Sequence, residues 1–266
     1  MKNFLVASCA LAISIFPAMA ADMPLKAPPP PLAPTFTWSG CYVGGSDGGI
    51  WRQTDNVTVG VTDGGSGAAA AAAAGAIPTA FGVGGSSWIA GGQAGCNYQA
   101  ANWVLGIETD FSGTGLNGSG TIATNVPGFF PLTSAVSQDM SWIGTTRGRL
   151  GWASGNVLLY ATGGAAYANV SYGYTLNNIA GGGAAAVTAS DSATQFGWTV
   201  GGGLEWGFGA WSVKGEYLYY DLGSHTLTAA CSTVIGGCTG LAPTVFSAHF
   251  RDNGSIARIG LNYRFY

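Results

Sequence analysis

The chain has 266 residues and a formal charge of −3, and 47% of its side chains are hydrophobic while only 8% are charged. Soluble domains carry about 25% charged residues, so a water-soluble domain of this size would be short of polar surface. The slightly acidic balance gives no positive field for nucleic acid, and nucleic acid is excluded as a partner.

The first twenty residues read "MKNFLVASCALAISIFPAMA". Lys2 precedes an apolar run from Phe4 to Phe16, and Ala18-Met19-Ala20 is an A-x-A cleavage site. This pattern predicts a secretory signal peptide over 1–20. The following "ADMPLKAPPPPLAPTFT" predicts an extended, Pro-rich periplasmic spacer over 21–37. A single β domain is expected over 38–266, with strands near 38–52, 85–98, 103–113, 139–152, 157–172, 195–207, 211–223 and 248–265. The Ala-rich "GAAAAAAAGA" (67–76) has only small side chains and Gly at both ends. It is expected to be a loop tract or short helix, not a span.

The connections alternate. "QAAN", "ASGN" and "GFGA" join strands 2–3, 4–5 and 6–7. The other four are long Gly/Ala/Ser/Thr-rich segments. This order puts every tight turn and both termini at one end of the sheet and every long loop at the other. It is the layout of an outer-membrane barrel, with short periplasmic turns, long extracellular loops and an even strand number.

Alternation within the strands divides them into two faces. Strand 3 sets Trp103, Leu105, Ile107 and Phe111 against Glu108 and Asp110. Strand 4 sets Trp142, Leu150 and Trp152 against Arg147 and Arg149, and strand 6 sets Trp198, Val200, Leu204 and Trp206 against Thr199 and Glu205. Strand 7 opposes Val213, Tyr217 and Tyr219 to Lys214 and Glu216; strand 8 opposes Ile259, Leu261, Tyr263 and Phe265 to Arg258, Asn262 and Arg264. Strand 2 places Gln93 and Asn97 opposite Trp88 and Tyr98. Strand 1 is read with Asp47 on the polar face, opposite Tyr42 and Ile50. Strand 5 is ambiguous: Leu158, Tyr160 and Thr162 fit an inward face, but Asn169 and Ser171 break the phase. The polar face thus collects Asp47, Glu108, Asp110, Glu205 and Glu216 against Arg147, Arg149, Lys214, Arg258 and Arg264. Unpaired charges cannot sit in the apolar interior of a soluble barrel. The narrow lumen of an eight-stranded membrane barrel can hold them as pairs, with the aromatic face turned to lipid. The expected fold is therefore all-β, an eight-stranded antiparallel transmembrane β-barrel.

Cys9 would leave with the signal peptide, and the four remaining cysteines permit disulfides in an exported protein. Cys231 and Cys238 enclose only "STVIGG" and could close a small surface loop. Cys41 and Cys96 lie near the ends of adjoining strands, but the alternation drawn above puts them on opposite faces. They are the less favoured pair.

The blocks "WSGCYVGGSDGGIW" (38–51), "VLLYATGGAAY" (157–167), "GWTVGGGLEWGF" (197–208), "WSVKGEYLYYDLG" (211–223) and "RIGLNYRF" (258–265) resemble the small outer-membrane immunogenic or opacity-like proteins of alphaproteobacteria. The resemblance spans nearly the whole chain after the leader and fails mainly in the loops. It implies an eight-stranded barrel in the outer membrane of a Gram-negative cell, a surface-exposed antigen, and roles in envelope integrity or host contact. The ending also resembles the β-signal read by the outer-membrane assembly machinery, carried here by Arg258, Gly260, Tyr263 and Phe265, with Tyr266 following. Expected partners are outer-membrane lipid and lipopolysaccharide, that assembly machinery, and host or surface ligands met through the loops.

No catalytic constellation is legible. His225 and His249 flank the last long loop without a metal-ligand spacing around them. Glu108/Asp110 and Glu205/Glu216 are expected to be lumen salt bridges, given the bases on the same face. No enzyme activity, cofactor or metal is expected. Two functions remain open: a plugged structural barrel displaying its loops, and a small diffusion pore. Paired lumen charges favour the first, and the small lumen residues Gly91, Gly95, Gly201 and Gly203 the second.

Overall fold

In the computed structural model, which describes residues 36–62, 67–178, 185–230 and 244–265, eight antiparallel strands close in sequence order into one barrel. They are β1 (Gly40–Thr62), β2 (Ala80–Ala100), β3 (Trp103–Thr124), β4 (Leu132–Ser154), β5 (Val157–Asn178), β6 (Ala185–Phe208), β7 (Trp211–Ala230) and β8 (Val245–Phe265). The ring closes between β1 and β8, with Cys41 opposite Phe265 and Asp47 opposite Ile259. A short helix, α1 (Ala68–Ala73), follows β1. The expected leader and most of the expected spacer lie outside the described residues.

Each tight connection is a two-residue hairpin: Ala101-Asn102, Gly155-Asn156 and Gly209-Ala210. The first residue of each is left-handed, with φ of 53°, 59° and 59°. Such turns match the twist of paired strands, and Gly reaches that region without a Cβ penalty.

The strands are far longer than alternation of lipid-facing residues suggested. β3 continues to Thr124 and β4 starts at Leu132, so their connection is only 125–131. A bilayer needs about 9–11 residues per strand, so each strand also builds a wall beyond the membrane. Outward rings mark the boundaries. One girdle holds Trp103 against Trp152 and Trp211 against Tyr263, both at 5.0 Å between ring centroids. The other runs Phe111, Trp142, Tyr167, Phe196 at 5.0, 6.4 and 6.4 Å. From Trp142 to Trp152 the tilted strand rises about 25 Å, the height of an apolar belt.

Beyond the second girdle the polarity of the two faces exchanges while the phase persists. Inward positions of β5 are Leu158, Tyr160 and Thr162 below, then Val170, Tyr172, Tyr174 and Leu176 above, all buried. Asn169 and Ser171 face outward, above the lipid, so they do not break the alternation. The interior of this outer storey is an apolar core including Val57, Val59, Phe81, Leu116, Val136, Met140, Leu227, Phe246 and Phe250, joined by Ala71 of α1. A wall wet on the outside must bury its apolar side chains inside, as a soluble barrel does.

The outer storey should behave as a packed core. Leu116, fully buried there, is expected to cost about 3 kcal/mol when changed to Ala, by lost transfer energy plus a cavity. Ser119→Ala, on the wet face of the same strand, should change stability by less than about 0.5 kcal/mol. Urea-dependent folding in lipid vesicles measures both, and equal effects would contradict the two-storey interior.

Candidate functional site

Inside the lipid-belted half lies a closed ion-pair network. Opposite charges stand directly across from each other on neighbouring strands: Glu108 and Arg147 on β3/β4, Glu205 and Lys214 on β6/β7, Glu216 and Arg258 on β7/β8. Because inward side chains recur every second residue, this register aims all six into one volume.

Glu108, with no exposed surface, is the hub. It accepts from Arg147 Nη2 at 2.6 Å, from Lys214 Nζ at 2.7 and 2.8 Å, and from the Tyr42 hydroxyl at 2.6 Å. Asp110 is held by Arg258 Nη1 and Nη2 at 3.1 and 2.9 Å, by Arg147 Nη2 at 2.9 Å and by Thr145 Oγ1 at 2.5 Å. Glu216 takes Arg147 Nη1 at 2.9 Å, Arg258 Nη2 at 2.7 Å and the Tyr160 hydroxyl at 3.0 Å. Glu205 accepts from Arg149 Nη2 at 2.7 Å, Ser212 Oγ at 2.5 Å and Asn262 Nδ2 at 3.1 Å. The Arg149 guanidinium lies 3.9 Å from the Tyr160 ring centroid. Four acids thus meet Arg147, Arg149, Lys214 and Arg258, and multiple hydrogen bonds offset the cost of taking them from water.

The periplasmic end is stoppered. Arg264 stacks on Phe36 at 4.1 Å from the ring centroid and donates to the Thr37 carbonyl at 2.9 Å. Trp38, fully buried, donates its backbone N–H to Gln99 Oε1 at 2.7 Å and its indole N–H to the Gly155 carbonyl at 3.2 Å. Arg264 therefore sits in this stopper, apart from the central network. At the level of the second girdle Arg52 reaches across the bore to donate to the Gln138 carbonyl at 3.0 Å, 3.8 Å from Asp252. Asp252 also accepts from Tyr172 and Gln138.

Asp47 is a correction. It stands exposed on the outer wall, while Tyr42 and Ile50 are buried inside. The faces of β1 are one residue out of phase with the expectation, because "GGSDGG" offers no large side chain to fix the phase and Tyr42 turns inward to reach Glu108. The same slip misplaced the cysteines. Cys41 and Cys96 face each other in register on the outer wall and form a disulfide, with Cα atoms 4.0 Å apart. The expected Cys231–Cys238 pair lies outside the described residues.

Of the terminal pattern, Arg258 points into the network and Tyr263 and Phe265 stand in the periplasmic girdle, 6.5 Å apart. Gly260 lies beside the Lys214 side chain. His225 and His249 fall within strands β7 and β8. His225 stacks on Tyr172 at 4.4 Å, with Nε2 3.1 Å from Asp191, whereas exposed His249 meets Thr226 Oγ1 at 2.8 Å on the other face. Among the described residues no group of three or more His, Cys, Asp or Glu side chains is placed to hold a metal ion. Alternation puts Tyr42 on the wrong face, leaves Tyr160 ambiguous and does not mark Arg52 or Asp252. Register sets the first two beside lumen glycines on the neighbouring strands, Gly95 and Gly203 respectively, whose missing side chains leave room for the rings.

A closed eight-stranded barrel with an apolar belt, two aromatic girdles and an ion-paired interior is the architecture of a bacterial outer-membrane protein. The model for the outer membrane protein beta-barrel domain matches residues 8–265, and the chain belongs to that family. It is 33% identical over 281 residues to the 31 kDa outer-membrane immunogenic protein of Brucella melitensis, covering 100% of both chains. It is 25% identical to the 25 kDa outer-membrane immunogenic protein of Brucella abortus, over 88% of this chain and 91% of that one. The outer membrane protein OprG of Pseudomonas aeruginosa overlays with a TM-score of 0.45 at 11% identity, covering 85% of this chain and 97% of that one. The protein is an outer-membrane surface protein.

Removing the hub should expose the network's cost. Glu108→Ala takes from buried Lys214 the carboxylate it donates to and from Arg147 one of its three acids, and is expected to destabilise the barrel by about 3–5 kcal/mol. Adding Lys214→Met should recover part of the loss, with a coupling of about 1–3 kcal/mol in a double-mutant cycle. Strictly additive effects would show that the pair does not interact.

Proposed function

We propose that this protein is a non-enzymatic, closed structural barrel. It reinforces the outer membrane and holds its loops on a rigid stalk for antigen display or adhesion. The observation that carries this reading is the filling of the bore. The space beside the small lumen residues Gly95 and Gly203 is taken by Tyr42 and Tyr160, the charges between them are interlocked, and the outer storey is an apolar core. A water column would have to displace all three, so the diffusion-pore reading is the weaker one.

In this role the belt contacts lipid, and the hydroxyl-rich wall above it meets lipopolysaccharide. Arg258, Gly260, Tyr263 and Phe265 serve the assembly machinery, and the loops meet surface or host ligands. Conductance of the refolded protein in a planar bilayer tests the central claim. A silent membrane is expected once insertion is verified by heat-modifiable gel mobility. Stable current steps proportional to salt concentration would overturn the closed barrel in favour of the pore.

A further inference from the structure

The large apolar side chains of the outer storey turn inward to its core. Among the described residues beyond the second girdle, three stand exposed instead: Ile122, Phe129 and Phe130. Ile122 is on the inward face of β3, opposite buried Ser134, at the mouth of the bore. Phe129 and Phe130 lie in the connection 125–131, and Phe130 is 61% exposed. Leu132 precedes Trp142 by ten residues of tilted strand. The two rings therefore stand about 25 Å beyond the girdle, out of reach of the bilayer that holds the barrel.

A preset turn holds them there. Phe129 donates its backbone N–H to the Val126 carbonyl at 3.0 Å, and Gly128 takes the left-handed φ of 89° that a type II turn requires after Pro127. The base of the connection is tied down. Val126 and Leu132 pack against the apolar core, and Thr124 Oγ1 donates to the Ala76 carbonyl at 2.5 Å. The same short segment thus buries its aliphatic side chains and projects its two aromatic ones. Proline on either side, at 127 and 131, limits the freedom such a tip loses on binding.

Charge and shape define what the rings fit. No residue between Asp110 and Asp139 carries a formal charge, so the tip has no ion to offer an acidic or basic surface. The outward wall beneath it carries the small side chains of Ser119, Thr121, Ala123 and Thr133. Two rings on a convex, neutral hairpin suit a surface that yields around them and needs no preformed pocket. The headgroup–acyl boundary of a bilayer is such a surface, and it takes Phe readily. We propose that Phe129 and Phe130 form a lipid-inserting wedge that docks this loop onto the bilayer of an apposed membrane. The inference rests on the adhesion reading above and names the chemistry of the surface that is gripped.

Flotation of the complete barrel in nanodiscs with protein-free phosphatidylcholine vesicles tests it, with empty discs as the blank. Wild-type discs are expected to float with the vesicles equally at low and high salt. Phe130→Glu should lower the bound fraction about tenfold, and Phe129→Ser/Phe130→Ser at least as much. Phe129→Trp/Phe130→Trp should retain binding, and all three should keep heat-modifiable mobility. Wild-type discs that do not float, Glu or Ser variants that float as well, or binding lost in high salt would overturn the wedge. Adhesion of the same discs to whole cells separates the two readings. Adhesion without flotation would mean a protein receptor and sink the wedge alone; discs that neither float nor adhere would sink the adhesion reading with it.

Discussion

Inside hydrocarbon every backbone N–H and C=O must find its partner within the protein, because no water is there to take its place. The pairing of β1 with β8 meets that demand, and the rest of the structure follows from the closure it enforces. Eight strands leave a bore only wide enough for side chains. Charges placed on the inner face of so narrow a tube are forced within contact of each other. They therefore persist as an interlocked set around Glu108, which a wider, wet lumen would not require.

The second consequence is that the barrel is two environments end to end. Between the girdles the outside is apolar, so the inside is free to be ionic provided it is paired. Past the second girdle the outside is water, and the inside becomes the place to bury Leu116, Val136, Tyr174 and Phe246. Arg52 and Asp252 stand at the seam between them. Each storey alone would be ordinary; here both are built on the same continuous strands, which run on past the outer aromatic girdle.

The legible part of this design was the part with large side chains. Trp103 to Phe111 and Trp142 to Trp152 alternate with Glu108, Asp110, Arg147 and Arg149, and no shift of phase can satisfy those positions otherwise. β5 was ambiguous because a polarity pattern reports the difference between two faces, and that difference changes sign at the membrane surface. Asn169 and Ser171 looked like a phase break when only their surroundings had changed. The same sign change hid the outer halves of the strands, so Ser, Thr and Gly runs that continue the sheet were read as loops. β1 failed for a different reason. Its "GGSDGG" stretch has one charged residue and no bulky one, and a charge was assumed to face inward.

Composition, the order of long and short connections, and the two-residue period were sufficient by themselves to determine a closed outer-membrane barrel of eight strands. Each depends on local chemistry: charge density, turn length and alternation. Which acid meets which base, whether Cys41 bonds Cys96, which way Asp47 points and how the bore is filled were decided only by the tertiary structure. Those are matters of register and of contacts across the barrel, between residues as far apart in the chain as Asp110 and Arg258. Alternation assigns a side chain to a face, but only closure of the ring decides what stands opposite it.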